Sequence, residues 1–125
     1  MIGYVTLGTN KFADAARFYD ELLAVIGAGR AMEGDTFIAW GTGLTSPAIS
    51  IIRPYDGKDA TVGNGMMVAI SAASPEVVDA LHAKALQLGG ADEGAPGVRG
   101  GNFYAGYFRD LDGNKLNAFC LVEQK

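Results

Sequence analysis

The chain has 125 residues, nearly half of them apolar, with 14 acidic against 10 basic side chains and a net charge of −4. That size and balance fit a single globular domain that buries roughly two-thirds of its unfolded surface, and they exclude a disordered chain. Lys and Arg cluster nowhere, so no nucleic-acid partner is expected, and the lone cysteine, Cys120, excludes an internal disulfide framework.

No basic-then-apolar leader opens the sequence, and no apolar run approaches the ~20 residues of a spanning helix. The expectation is a soluble cytoplasmic protein with no membrane partner. Cys120 lies in an apolar stretch and reads as an inert packed thiol.

Residues 2–7 (IGYVTL) predict a first strand, with Ile2, Tyr4 and Thr6 on one face and Gly3, Val5 and Leu7 on the other. Thr9 or Asn10 is the N-cap candidate for a helix whose apolar stripe is Ala15, Phe18, Tyr19, Leu22, Leu23 and Ile26. Gly27 ends that helix. Three short strands are expected at 28–32, 36–40 and 48–53, with turns at 33–35 and 41–43. Residues 54–63 are polar and hold Pro54, Gly57 and Gly63, as a linker would.

Residues 65–71 (GMMVAIS) predict the next strand. Ser74-Pro75-Glu76 is a helix start, with Ser as N-cap, Pro at the first helical position and an acid in the first turn. Val78, Leu81, Ala85 and Leu88 form its stripe, Gly89-Gly90 its end, and His82 falls on its surface or boundary. Residues 91–102 (ADEGAPGVRGGN) read as a Gly- and Pro-rich loop around Arg99, which would meet an anionic group at a cleft mouth or stay solvated. Residues 103–109 resume the sheet, placing Tyr104 and Tyr107 on opposite faces so that at most one lines a cleft.

The stretch 107–120, YFRDLDGNKLNAFC, reads as strand, tight turn, strand. Asp110 and Asp112 are paired carboxylates, but their place in the turn makes them turn-formers rather than an acid–base pair. Beyond the turn, Leu116, Ala118 and Cys120 should face a helix layer. Lys115, Asn117 and Phe119 take the other face, where Asn117 points into whatever space the sheet encloses.

Sliding the halves by 63 residues sets Tyr4 on Met67, Val5 on Val68, Leu7 on Ile70, Leu22 on Ala85, Leu23 on Leu86 and Gly27-Ala28 on Gly90-Ala91. Each half reads strand, helix, three strands, although the first of the three after Gly90 is weak in sequence. One domain is expected, with modules at about 1–54 and 64–125 and a linker at about 55–63.

This pattern, and the D-L-D-G-N turn above all, resembles the vicinal-oxygen-chelate superfamily of glyoxalase I, bleomycin- and fosfomycin-resistance proteins and extradiol dioxygenases. The resemblance covers essentially the whole chain. It implies an α+β fold of two βαβββ modules, forming an open, barrel-like mixed sheet around a cleft with helices outside. It also implies a homodimer, for which the exposed strand edges of an open sheet give a physical reason. Metal-using members place His, Gln or Glu ligands on the first and last strand of each module. Carried over, those positions are Tyr4 (G-Y-V-T-L), Met67 (G-M-M-V) and Asn117, four residues after Gly113, with the fourth near Ser50. None is charged at neutral pH, a protonated phenol is a poor ligand and a thioether suits Cu(I). No metal or other cofactor is expected.

What remains is the profile of a small-molecule pocket, mostly apolar with a few convergent hydrogen-bonders. Tyr4, Thr6, Ser50 and Asn117 supply polar points, Met67 and Phe119 a soft wall, and Arg99 a mobile cation. Trp40, Phe37 and Tyr55 are either pocket wall or core. The leading expectation is a metal-free binder of aromatic or drug-like molecules. Alternatives are a metal-dependent lyase or dioxygenase recruiting its ion elsewhere, a metal-independent isomerase using Tyr4 as acid, and an accessory protein with a vestigial cleft.

Overall fold

The computed structural model describes residues 1–43 and 45–123, so residue 125, the expected end of the second module, lies outside the described residues. Module one runs β1 (Tyr4–Gly8), α1 (Phe12–Ala24), β2 (Gly29–Glu33), β3 (Phe37–Gly41) and β4 (Ala48–Ile52). Module two runs β5 (Val68–Ser71), α2 (Pro75–Gln87), β6 (Ala91–Val98), β7 (Phe103–Arg109) and β8 (Lys115–Leu121). Each module is a four-stranded mixed sheet, ordered β1-β4-β3-β2 and β5-β8-β7-β6, with only the β1–β4 and β5–β8 pairs parallel. The sheets remain open, and β1 and β5 each pair on one side only among the described residues. Adding 63 to both bounds of α1 reproduces those of α2, so the sequence repeat is a structural one.

The apolar stripes do what their spacing predicts. Ala15, Phe18, Tyr19, Leu22 and Leu23 of α1 and Val78, Leu81 and Ala85 of α2 are buried against Leu7, Ile38, Ile51, Ile70, Phe108, Leu116 and Ala118 in one continuous core. Burial of each large side chain is worth about 1.5–3 kcal/mol. The helices pack against each other across the module boundary. Asp20 ties α1 to its sheet, accepting hydrogen bonds from the Trp40 indole and the Arg30 guanidinium, which holds its carboxyl below the usual range. Among the described residues no helix is long and apolar enough to cross a membrane.

Several expectations are corrected. Thr9 and Asn10 do not cap α1 in the usual way: Lys11 stands at the N-cap, and its backbone N–H donates to the Thr9 hydroxyl. The Asn10 amide instead exchanges two hydrogen bonds with the Ala60 backbone, tethering the mid-chain segment. Gly27, by contrast, ends the first helix as expected: it takes a left-handed φ, its N–H donates to the Ala24 carbonyl, and the Ala28 N–H donates to the Leu23 carbonyl. Residues 91–98, read as a loop, are strand β6; register shifts between Asp92 and Gly97 break the alternation that would have revealed it. His82 is buried on the sheet side of α2, bonded to Asp92 and edge-on to Phe108. Gly106 admits it: a Cβ there would lie 3.3 Å from the imidazole and 3.0 Å from Pro96. Ser74 caps α2 and Cys120 packs in the core with burial pushing its thiol up, as the sequence suggests.

The β7–β8 turn joins the modules. Gly113 takes a positive φ, while the Asp110 carboxylate accepts from the backbone N–H groups of Asp112 and Asn114 and from the Asn114 amide. Its Oδ2 also accepts from the hydroxyl of Tyr19 on α1 at 2.6 Å. Asn114 donates to the Gly8 carbonyl at the end of β1, and Asp112 accepts from the Asn10 backbone N–H. Both aspartates are turn-formers, but their carboxylates also span the module boundary.

Burial pushes the Asp110 carboxyl up, and the surrounding donors pull it only part of the way back. A folded-state value above the unfolded one favours folding where the group is protonated; that contribution is full below the unfolded value and is lost as pH rises through the folded value. Urea denaturation across the acidic range should therefore show wild type losing stability relative to Asp110→Asn as pH rises. A difference that moves the other way would contradict the assignment.

Candidate functional site

In both sheets the face turned away from the helices carries the candidate residues. In module one, Tyr4 and Thr6 of β1 stand opposite Ala48 and Ser50 of β4. Tyr4 is 68 % exposed and Thr6 is exposed, whereas Ser50 is buried, its hydroxyl donating to the Ile51 carbonyl. In module two, Asn117 sits in register between Ala69 of β5 and Tyr107 of β7. Phe119 stacks on Phe103, ring centroids 5.4 Å apart. Tyr107 and Tyr104 lie on opposite faces, and the Tyr104 hydroxyl donates to Asp79 on α2.

Asn117 is the anomaly of the site. Its side chain is 1 % exposed, and neither Oδ1 nor Nδ2 has a hydrogen-bond partner among the described residues. Leaving a buried polar group unpaired costs about 1–3 kcal/mol, so such an amide is rarely retained without cause.

Two cavities lie along the seam between the modules. The larger, about 610 Å³, is walled by Val5, Trp40, Ile49, Met67, Ala69 and Phe119 among others, with no ionisable side chain among its described lining residues. The smaller, about 160 Å³, is lined by Thr6, Met67, Asn114 and Lys115 among others. Met67, which is 43 % exposed, and Val68 belong to both. Of the candidates, Thr6, Met67 and Phe119 thus line a cavity; Tyr4, Ser50, Asn117 and Arg99 line neither of these two. Trp40 is both core and wall, and Tyr55, fully exposed, is neither.

Arg99 lies just beyond β6, its guanidinium 5.6 Å from the Tyr107 ring centre and donating to the Ala95 carbonyl. Lys115 places its ammonium at the same distance from that ring. Neither pairs with a carboxylate among the described residues, whereas Arg109 alongside is bonded to Glu93, whose carboxyl it holds low. Sequence reasoning put Lys115 on the Asn117 face without giving it a role. The available signal was its spacing of two residues from Asn117.

No family model matches the chain, and no curated protein sequence does. Solved structures do. A glyoxalase/bleomycin resistance protein from Albidiferax ferrireducens T118 is 35 % identical, covers 95 % of this chain and 97 % of its own, and superposes with a TM-score of 0.88. The chain belongs to the glyoxalase/bleomycin resistance protein family. A glyoxalase/bleomycin resistance protein/dioxygenase family enzyme from Burkholderia phytofirmans PsJN shares the fold at 18 % identity and TM-score 0.76, covering 96 % of this chain and 98 % of its own. Lactoylglutathione lyase from Agrobacterium tumefaciens does so at 17 % identity and TM-score 0.68, covering 95 % and 92 %.

Where the family resemblance sets metal ligands, this member's residues do not fit a dication. Asn117 offers a neutral amide sealed from solvent, Met67 a thioether, Ser50 a buried hydroxyl already bonded to backbone, and Tyr4 an exposed phenol. None supplies the anionic oxygen or imidazole that offsets stripping water from a divalent ion. Among the described residues no three His, Cys, Asp or Glu side chains gather elsewhere to do so.

Replacing the unpartnered amide with a group of similar shape and no polar atoms should help the fold. Asn117→Leu is expected to raise stability by about 1–3 kcal/mol in chemical denaturation. A loss of stability would show that the amide is satisfied in solution.

Proposed function

We propose that this family member is a metal-free binding protein for a small apolar or aromatic molecule, held at the seam between its modules. The observation that carries the reading is the larger cavity: Val5, Trp40, Ile49, Met67 and Phe119 offer an apolar wall without an ionisable group. Such a space selects by shape and desolvation, and its volume falls in the range of small-molecule sites. The uncharged side chains at Tyr4, Ser50, Met67 and Asn117 support binding without a metal, because they leave no centre at which a Lewis acid would sit. A homodimer in the cytoplasm is part of the proposal, since β1 and β5 each present beside both cavities an edge that pairs with no strand among the described residues.

Trp40 is the chain's single tryptophan and lines the cavity, so it reports occupancy directly. Titration with the neutral fluorophore phenylnaphthylamine should quench Trp40 by energy transfer, saturate at one probe per chain and raise the melting temperature. Elemental analysis of the same preparation should find no stoichiometric transition metal. Absence of saturable quenching would overturn the binding reading; a stoichiometric metal that survives dialysis would overturn the metal-free one.

A further inference from the structure

The face that holds Asn117 is graded along its strands. Successive cross-strand rows of β7 and β8 read Phe103 with Leu121, Ala105 with Phe119, Tyr107 with Asn117, and Arg109 with Lys115. Apolar and aromatic groups occupy one end, a phenol and an unpartnered amide the middle, and cations the other end. From Phe119 to Lys115 is four residues, about 13 Å along an extended strand. Arg99 reaches over the same face to Tyr107, so three cations gather there, of which Arg109 alone is ion-paired among the described residues, to Glu93, in a chain whose net charge is −4. Such a local excess of positive charge concentrates anions.

The cavities follow the same gradient. The larger, apolar one takes in Phe119 and Ala69; the smaller takes in Lys115 and Thr6; Met67 is common to both. A ligand spanning the two cavities would therefore meet an apolar wall, then Met67, then the Lys115 ammonium.

The geometry points to an amphipathic organic anion as the ligand of this site: an aromatic or aliphatic body in the larger cavity, and a carboxylate, sulfonate or phosphate on Lys115 at the smaller one, with Arg99 on the same Tyr107 ring as the second cation. The inference rests on the binding reading above and narrows its ligand class. Arg99 and Lys115 now rest on the Tyr107 ring, held by cation–π contacts that are weak at exposed sites. Both are long enough to leave the ring for an anion.

Anilinonaphthalene sulfonate and phenylnaphthylamine share one ring system and differ by the sulfonate, so the ratio of their affinities isolates the anionic end. Fluorescence titration of the folded protein should give a sulfonate preference of about tenfold, as for a charge-assisted pair. That preference should fall as salt is raised and should disappear in Arg99→Gln/Lys115→Gln, with circular dichroism and the melting curve confirming that the variant is folded. If both probes bind wild type equally, the anionic class is overturned while the binding reading stands. A preference that persists in the double variant overturns the assignment to these two cations. Failure of both probes to bind removes the binding reading itself.

Discussion

The hydrogen bond from the Tyr19 hydroxyl to the Asp110 carboxylate links residues 91 positions apart inside the protein, and the arrangement of the two modules depends on it. Tyr19 belongs to α1 of module one; Asp110 opens the turn that feeds the last strand of module two. A hydrogen bond to a charged group contributes about 1.5–3 kcal/mol, and removing the Asp110 carboxylate would leave the Tyr19 hydroxyl without this partner in the core. Asn114, with its amide on Gly8, and Asp112, accepting from Asn10, fasten the same turn to the end of β1. The D-L-D-G-N sequence, the most recognisable stretch of the chain, is thus a clasp between modules. It carries no acid–base chemistry because its carboxylates are already occupied in holding the fold.

The clasp also fixes the start of β8, and with it the placement of Lys115, Asn117 and Phe119 on the face turned from the helices. On that face the fold offers a shaped space but no charged chelator. The helix-side residues Leu116, Ala118 and Cys120 are pinned in the core, so β8 cannot slip by one residue without exposing them. Asn117 must therefore stay where it is, and its amide stays unpartnered at a cost to stability. Arg99 and Lys115 rest on Tyr107 and form no ion pair with a carboxylate among the described residues.

Local periodicity made much of the fold legible. The stripes from Ala15 to Leu23 and from Val78 to Ala85 lie on helices, the 63-residue repeat recurs in the helix bounds, and the alternation after Gly113 sorted Leu116 from Asn117 correctly. What escaped was non-local. Strand β6 was hidden because its register shifts around Gly94 and Pro96 destroy the period of two. His82 read as a surface residue because its partner, Asp92, lies on the next strand and the space for its ring is made by the absent side chain of Gly106. Val5 and Ile49, to which the sequence pattern gave no role, became cavity wall only through the meeting of two modules. The carried-over metal positions were identifiable by sequence, but their separation, with Tyr4 at an exposed edge and Asn117 sealed, needed three dimensions.

The central claim is that the apolar space beside Trp40 takes up an organic molecule without a metal. Calorimetric titration of anilinonaphthalene sulfonate into protein dialysed against EDTA measures this most directly. One probe should bind per chain, with an affinity that the chelator leaves unchanged. Heats no larger than those of dilution would contradict the claim.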